Sequence, residues 1–92
     1  MVPVRLSETA AKDLLDIAAF LGPSVAGESF MSRFDAASQL LAEFPEAGRR
    51  DHPRNPRFRY LIVREYILNY EITVDGVVIR SVMHGARVRR RR

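Results

Sequence analysis

The sequence predicts an α+β domain in which a helical hairpin lies on one face of a small antiparallel sheet, in the order βααβββ. Three observations predict it. Apolar residues recur at helical spacing through residues 8–44, then alternate singly through residues 58–83. A stretch rich in proline and charge, residues 45–57, separates the two regimes. Strands that follow a pair of helices, instead of alternating with them, favour helices segregated to one face of the sheet. At 92 residues the chain is expected to be one domain, residues 1–92. A chain of this size buries only roughly 60–65% of its unfolded surface, so its core is thin.

Val2, Val4 and Leu6 alternate with Pro3 and Arg5, the period of a half-buried strand. Pro3 has no amide hydrogen to give a neighbour, which puts this strand at an edge or starts its pairing at Val4. Ser7 then stands at the N-cap of a first helix, with Glu8 in its first turn. Leu14, Ile17, Ala18 and Leu21, extended by Ala10 and Ala11, form the buried stripe and leave Lys12, Asp13 and Asp16 on the wet side. Gly22-Pro23 ends this helix, and Ser24 caps a second one running to about Phe44. Its stripe is Phe30, Phe34, Ala37, Leu41 and Phe44; Pro45 stops it. Residues 45–57 read as a loop. Phe58–Val63, Tyr66–Val74 and Val77–Met83 read as strands, joined at Arg64-Glu65 and at Asp75-Gly76, a hairpin dipeptide.

Charge divides the chain. Residues 1–48 carry three cations and seven anions, net −4, whereas residues 49–92 carry twelve arginines against four acids, net +8. The basic half contains no lysine. Guanidinium is a planar fork that matches carboxylate and phosphate, so this half suits nucleic acid or an acidic protein partner. Five arginines crowd into residues 87–92, and the segment 88–92 is expected to be a flexible basic tail. There is no cysteine, hence no disulfide and no thiolate metal site. No glycine-rich phosphate loop and no metal-ligand spacing is present, so neither cofactor nor metal is expected. The first residues lack the apolar core of a signal peptide, and no run approaches the roughly 20 apolar residues of a membrane span. A cytoplasmic protein without a membrane partner is expected.

Ser81 and His84 are three apart on one strand and face opposite ways, so no serine–histidine–acid set is in view. His52 stands alone in the loop. His84 sits where the last strand ends, three residues before Arg87, on a chain leaving the sheet through Gly85. If alternation holds, Arg57, Arg59, Arg80 and Arg87 share the open face of the sheet as a basic groove. Target or partner binding is therefore expected at Arg57, Arg59, Arg80, His84, Arg87 and Arg89.

Taken in order, several segments resemble the ParE/RelE toxin superfamily of bacterial type II toxin–antitoxin pairs across nearly the whole chain. They are Leu6-Ser7, Ala10-Ala11 and Asp13-Leu14 through Ile17; Ala26 and Phe30; Phe44-Pro45-Glu46-Ala47-Gly48-Arg49; Leu68-Asn69-Tyr70-Glu71-Ile72; and Val82-Met83-His84-Gly85-Ala86-Arg87. The resemblance implies the βααβββ fold and a toxin held inactive, as a hetero-oligomer, by a co-expressed antitoxin. RelE-like members cleave mRNA on the ribosome; ParE-like members poison DNA gyrase. The RelE pattern expects an arginine where Ile67 stands, a second basic residue where Leu61 stands, and a tyrosine beyond the last arginine of the motif. Arg59 and Arg87 match two of its groups, and the other three are replaced or lacking in this sequence. The resemblance therefore favours the ParE branch, a protein inhibitor of gyrase and not an enzyme. The alternative is a ribosome-dependent mRNA endonuclease, with Arg59, His84 and Arg87 handling phosphate and proton transfer.

Overall fold

The computed structural model describes residues 1–86. Its elements are β1 (Val4–Leu6), α1 (Glu8–Leu21), α2 (Val25–Glu43), a 3-10 turn (Pro45–Ala47), β2 (Arg49–His52), β3 (Asn55–Val63), β4 (Tyr66–Thr73) and β5 (Gly76–His84). The sheet has five strands in the order β1-β5-β4-β3-β2. Both helices cover one of its faces, α1 chiefly against β5 and α2 against β3, β1 and β5. Two helices on one face of a sheet, the α+β architecture, is the arrangement the sequence predicts.

Both helix starts obey local chemistry. The Oγ of Ser7 accepts the amide of Ala10, and the Oγ of Ser24 accepts that of Gly27, each at 3.0 Å. Such caps satisfy amides that have no partner inside the helix. The core forms where the stripes meet the sheet. Ala10, Ile17, Phe30, Phe34 and Leu41 pack on Val63, Tyr66, Leu68, Tyr70, Val77, Ile79 and Val82. Phe30 meets Tyr66 edge-on at 5.0 Å between ring centroids.

Four expectations need correction. The sheet is mixed, because β1 runs parallel to β5 with Val4 opposite Val77. Residues 45–57 are not a loop: they contain the 3-10 turn, all of β2 and the start of β3. Pro53-Arg54 is the turn between those strands, and every residue of β2 is exposed, so no apolar alternation marks the ribbon. The final hairpin turns at Val74-Asp75, with Thr73 opposite Gly76; Gly76 opens β5 at φ +147°, where an added Cβ would collide with the carbonyl of Pro3. Finally, Phe44 is 60% exposed, because α2 ends before the stripe reaches it, and Ala18 also lies at the surface.

The crossing from helices to sheet is pinned by Tyr70. Its hydroxyl donates to the carbonyl of Pro45 at 2.7 Å and accepts the amide of Gly48 at 2.8 Å. Gly48 permits this approach, since a Cβ there would stand 2.6 Å from the tyrosine oxygen. Burial pushes the Tyr70 phenol above its ordinary value of 10.0, and burial does the same at Tyr66.

Tyr70→Phe leaves the buried Gly48 amide unpaired and is expected to cost about 1–3 kcal/mol, read as a lower Tm in thermal unfolding. Phenols that hold their protons longer in the folded state favour unfolding once the unfolded chain ionises. Wild-type stability is therefore expected to fall as pH rises above about 10 and through the folded values, and to fall less steeply in Tyr70→Phe. Denaturant melts across the alkaline range check both.

Candidate functional site

The face of the sheet turned away from the helices is open. Phe58, Tyr60 and Ile62 of β3 lie on it beside Ile67, Asn69 and Glu71 of β4 and Val78, Arg80, Ser81 and Met83 of β5, by register and alternation. The face is thus half apolar, with Ile62 63% exposed. Arg49 of β2, opposite Tyr60, and Arg5 of β1, opposite Val78, lie on the same face, and its ion-paired charge is gathered at Glu71. Glu71, in mid-strand, accepts Arg80 Nη1 at 2.9 Å on one oxygen, while Arg57 Nη2 stands 3.9 Å from the other. The guanidinium of Arg57 lies 5.9 Å from the centre of the Phe58 ring. Beside this cluster, the amide of Asn69 donates to the hydroxyl of Ser81 at 3.0 Å.

Arg80 owes its aim to a bulge. The pairing of β4 with β5 shifts between Asn69 and Tyr70, so Asn69 faces Ser81 and Tyr70 faces Ile79, with Arg80 left over. A bulge of this kind interrupts alternation. Arg80 and Ser81 therefore share the open face, whereas adjacent residues of a regular strand point opposite ways. On the far edge the bulge is tied to α1. The Oγ of Ser7 donates to the carbonyl of Arg80, and the carboxylate of Asp13 accepts the amide of Val82, each at 2.9 Å. Asp13 is accordingly half-buried against the sheet and not on the wet side of its helix.

Arg59 does not join the open face. It pairs with Tyr70 in register, so it leaves the strand on the helix side, at the edge of the core. There its Nη1 donates to the carbonyls of Glu46 at 3.2 Å and Gly48 at 3.1 Å, and its Nε to that of Pro56 at 3.0 Å. Arg59 and Tyr70 thus clamp the Pro45–Gly48 segment together.

His84 also lies on the helix side, opposite Tyr66 in register, with its ring edge-on to that tyrosine at 5.3 Å. Its Nδ1 accepts the amide of Ala86 at 3.1 Å, where the chain leaves the strand. It lines a cleft with Asp13, Asp16, Phe20 and Tyr66. Of the six expected binding residues, the structure brings Arg57 and Arg80 together, sets Arg59 and His84 on the other side, and leaves Arg87 and Arg89 outside the described residues. Glu71 and Asp13 are the partners that sequence reasoning passes over. Glu71 leaves a trace, as the one acid within the otherwise uncharged run Tyr66–Val74.

The model of one family, described as the ParE toxin of type II toxin–antitoxin system, parDE, matches residues 4–89. No curated protein matches the chain. Among solved structures, a chain of the chromosomal ParDE system from P. aeruginosa is 15% identical with a TM-score of 0.70, covering 91% of this chain and 96% of that one. A chain of the E. coli DinJ-YafQ complex is 15% identical with a TM-score of 0.68, covering 96% and 98%. At that identity the likeness is one of fold.

Asp13→Ala is expected to destabilise the domain by about 1.5–3 kcal/mol, the range for a hydrogen bond to a charged group. Asp13→Asn, which keeps a side-chain oxygen, is expected to lose less. Amide hydrogen exchange at Val82 and thermal unfolding together check this, with Val82 losing protection in the alanine variant.

Proposed function

The chain belongs to the ParE toxin family of type II toxin–antitoxin systems, and from that membership we propose that it inhibits DNA gyrase by protein–protein contact and is neutralised by a cognate antitoxin. The observation that carries the choice of target is the engagement of Arg59. Three of its five N–H donors are given to main-chain carbonyls, which holds it against the Pro45–Gly48 segment and leaves it fewer donors for a phosphate. The alternative, cleavage of mRNA on the ribosome, asks Arg59 to hold a phosphate while it stays bound to those carbonyls. It also relies for proton transfer on His84, whose Nδ1 already accepts the amide of Ala86. The open face suits a protein surface better. It offers apolar area interspersed with arginines, a mixture enriched at the centre of protein interfaces.

Two features support an antitoxin. Leu15, Phe20 and Val25 on the helical hairpin are 72%, 83% and 85% exposed, apolar surface that a partner would take from water. The −4/+8 division of charge suits a partner that lays acids along the basic half and apolar residues on the hairpin. A partner of that kind also adds stability to a thin core by binding only the folded state.

Purified chain freed from its antitoxin is expected to inhibit gyrase supercoiling and to trap cleaved DNA, and to leave mRNA intact on translating ribosomes. Cleavage on ribosomes with no effect on gyrase would replace this reading with the endonuclease one. Silence in both assays would reject both targets.

A further inference from the structure

The contact of Glu71 with Arg57 and Arg80 has the shape of a filled anion site. Two guanidiniums, delivered by the strands on either side of β4, converge on the two oxygens of a single carboxylate. A phosphodiester presents two non-bridging oxygens with a similar fork, and arginine pairs with either anion. An aromatic ring stands alongside, because Phe58 is the cross-strand neighbour of Glu71 and lies under the Arg57 guanidinium. Arginines beside an aromatic ring are among the elements with which proteins hold single-stranded nucleic acid, and Phe58 is half-buried here. The site is nonetheless occupied from within. The Glu71 side chain is 15% exposed, against 61% and 54% for the two arginines, so the carboxylate sits beneath the cations and the cations sit at the surface.

We propose that Glu71 is an internal counter-ion that occupies a latent phosphate site between Arg57 and Arg80, and so weakens the hold of the open face of this basic chain on nucleic acid. A protein with net +8 over residues 49–92 attracts RNA and DNA without regard to sequence, and every such contact withdraws it from its own partner. One carboxylate at the centre of the face lowers the phosphates it can neutralise by up to two while leaving the apolar surface intact. Specificity of this kind comes from a feature built against the wrong ligand. The inference goes beyond the gyrase reading and does not depend on it.

The test is fluorescence anisotropy of a labelled single-stranded RNA oligonucleotide, titrated with full-length chain over a series of salt concentrations. Glu71→Gln is expected to bind about tenfold more tightly than wild type at low salt, with a salt slope steeper by about 1.4, the value for two further phosphate contacts on a single strand. Asp35→Asn on the outer side of α2 changes net charge equally and is expected to change affinity less than about twofold. Arg80→Gln is expected to cost more affinity in the Glu71→Gln background than in wild type. Equal tightening by Asp35→Asn, or tightening by Glu71→Gln without a steeper slope, overturns the proposal. Should Glu71→Gln unfold, as seen by its thermal melt, Arg80→Gln against Arg33→Gln in the wild-type background decides. A paired arginine is expected to cost no more affinity than the distant one, and a larger loss at Arg80 overturns the proposal.

Discussion

The requirement that shapes this molecule is that both edges of β5 be satisfied. One edge is paired with β4 along its length except at the bulge residue Arg80. The other is met by β1 for only three residues, Val77 to Ile79. An unpaired, half-buried amide or carbonyl costs free energy that a thin core cannot spare. The first helix supplies what the short strand does not. The amide of Ser7 donates to the carbonyl of Ile79, its hydroxyl donates to that of Arg80, and Asp13 accepts the amide of Val82. The same Ser7 hydroxyl that caps α1 therefore also docks it. The path of α1 along β5 thus completes an edge for which β1 is too short, beside the residue where the register of β5 with β4 shifts.

The helices were legible because their signals are local. Serine at each N-cap and Gly22-Pro23 between the helices act within a turn of where they stand, and the Phe30, Phe34, Leu41 stripe needs only the helical period. The meander was legible for the same reason: alternation and turn dipeptides have short range. What escaped depends on distance. The β2–β3 ribbon is polar and exposed on every residue of β2, so it carries no alternation, and its pairing is made by main-chain bonds that any side chain permits. The bulge at Arg80 is one residue of slippage, which reverses the side assignment of everything before it relative to everything after.

Arginines were the hardest side chains to place. Arg59 and Arg57 differ by two positions, and strict alternation would put them together. Arg57 instead reaches Glu71 on the open side, while Arg59 turns to the carbonyls of Glu46, Gly48 and Pro56. A long side chain with five donors goes where acceptors are, and those acceptors lie in a segment whose shape is set by Tyr70 and Gly48. Composition shows that a basic half exists, and only the folded arrangement shows which guanidiniums are already committed. The candidate site is therefore smaller than the arginine count suggests, and it is centred on an acid.

The outer strand of the sheet has a consequence for how this chain behaves among its own copies. Among the described residues, β2 leaves one side of its backbone without a neighbour, a ready template for another strand. Its residues are Arg49, Arg50, Asp51 and His52, all exposed, and Arg50 lies opposite Arg59 in the existing pair. Two arginines against one acid give this edge a positive excess, so the strand it is best suited to receive is an acidic one, whereas a second copy of the same strand brings no such excess of opposite charge.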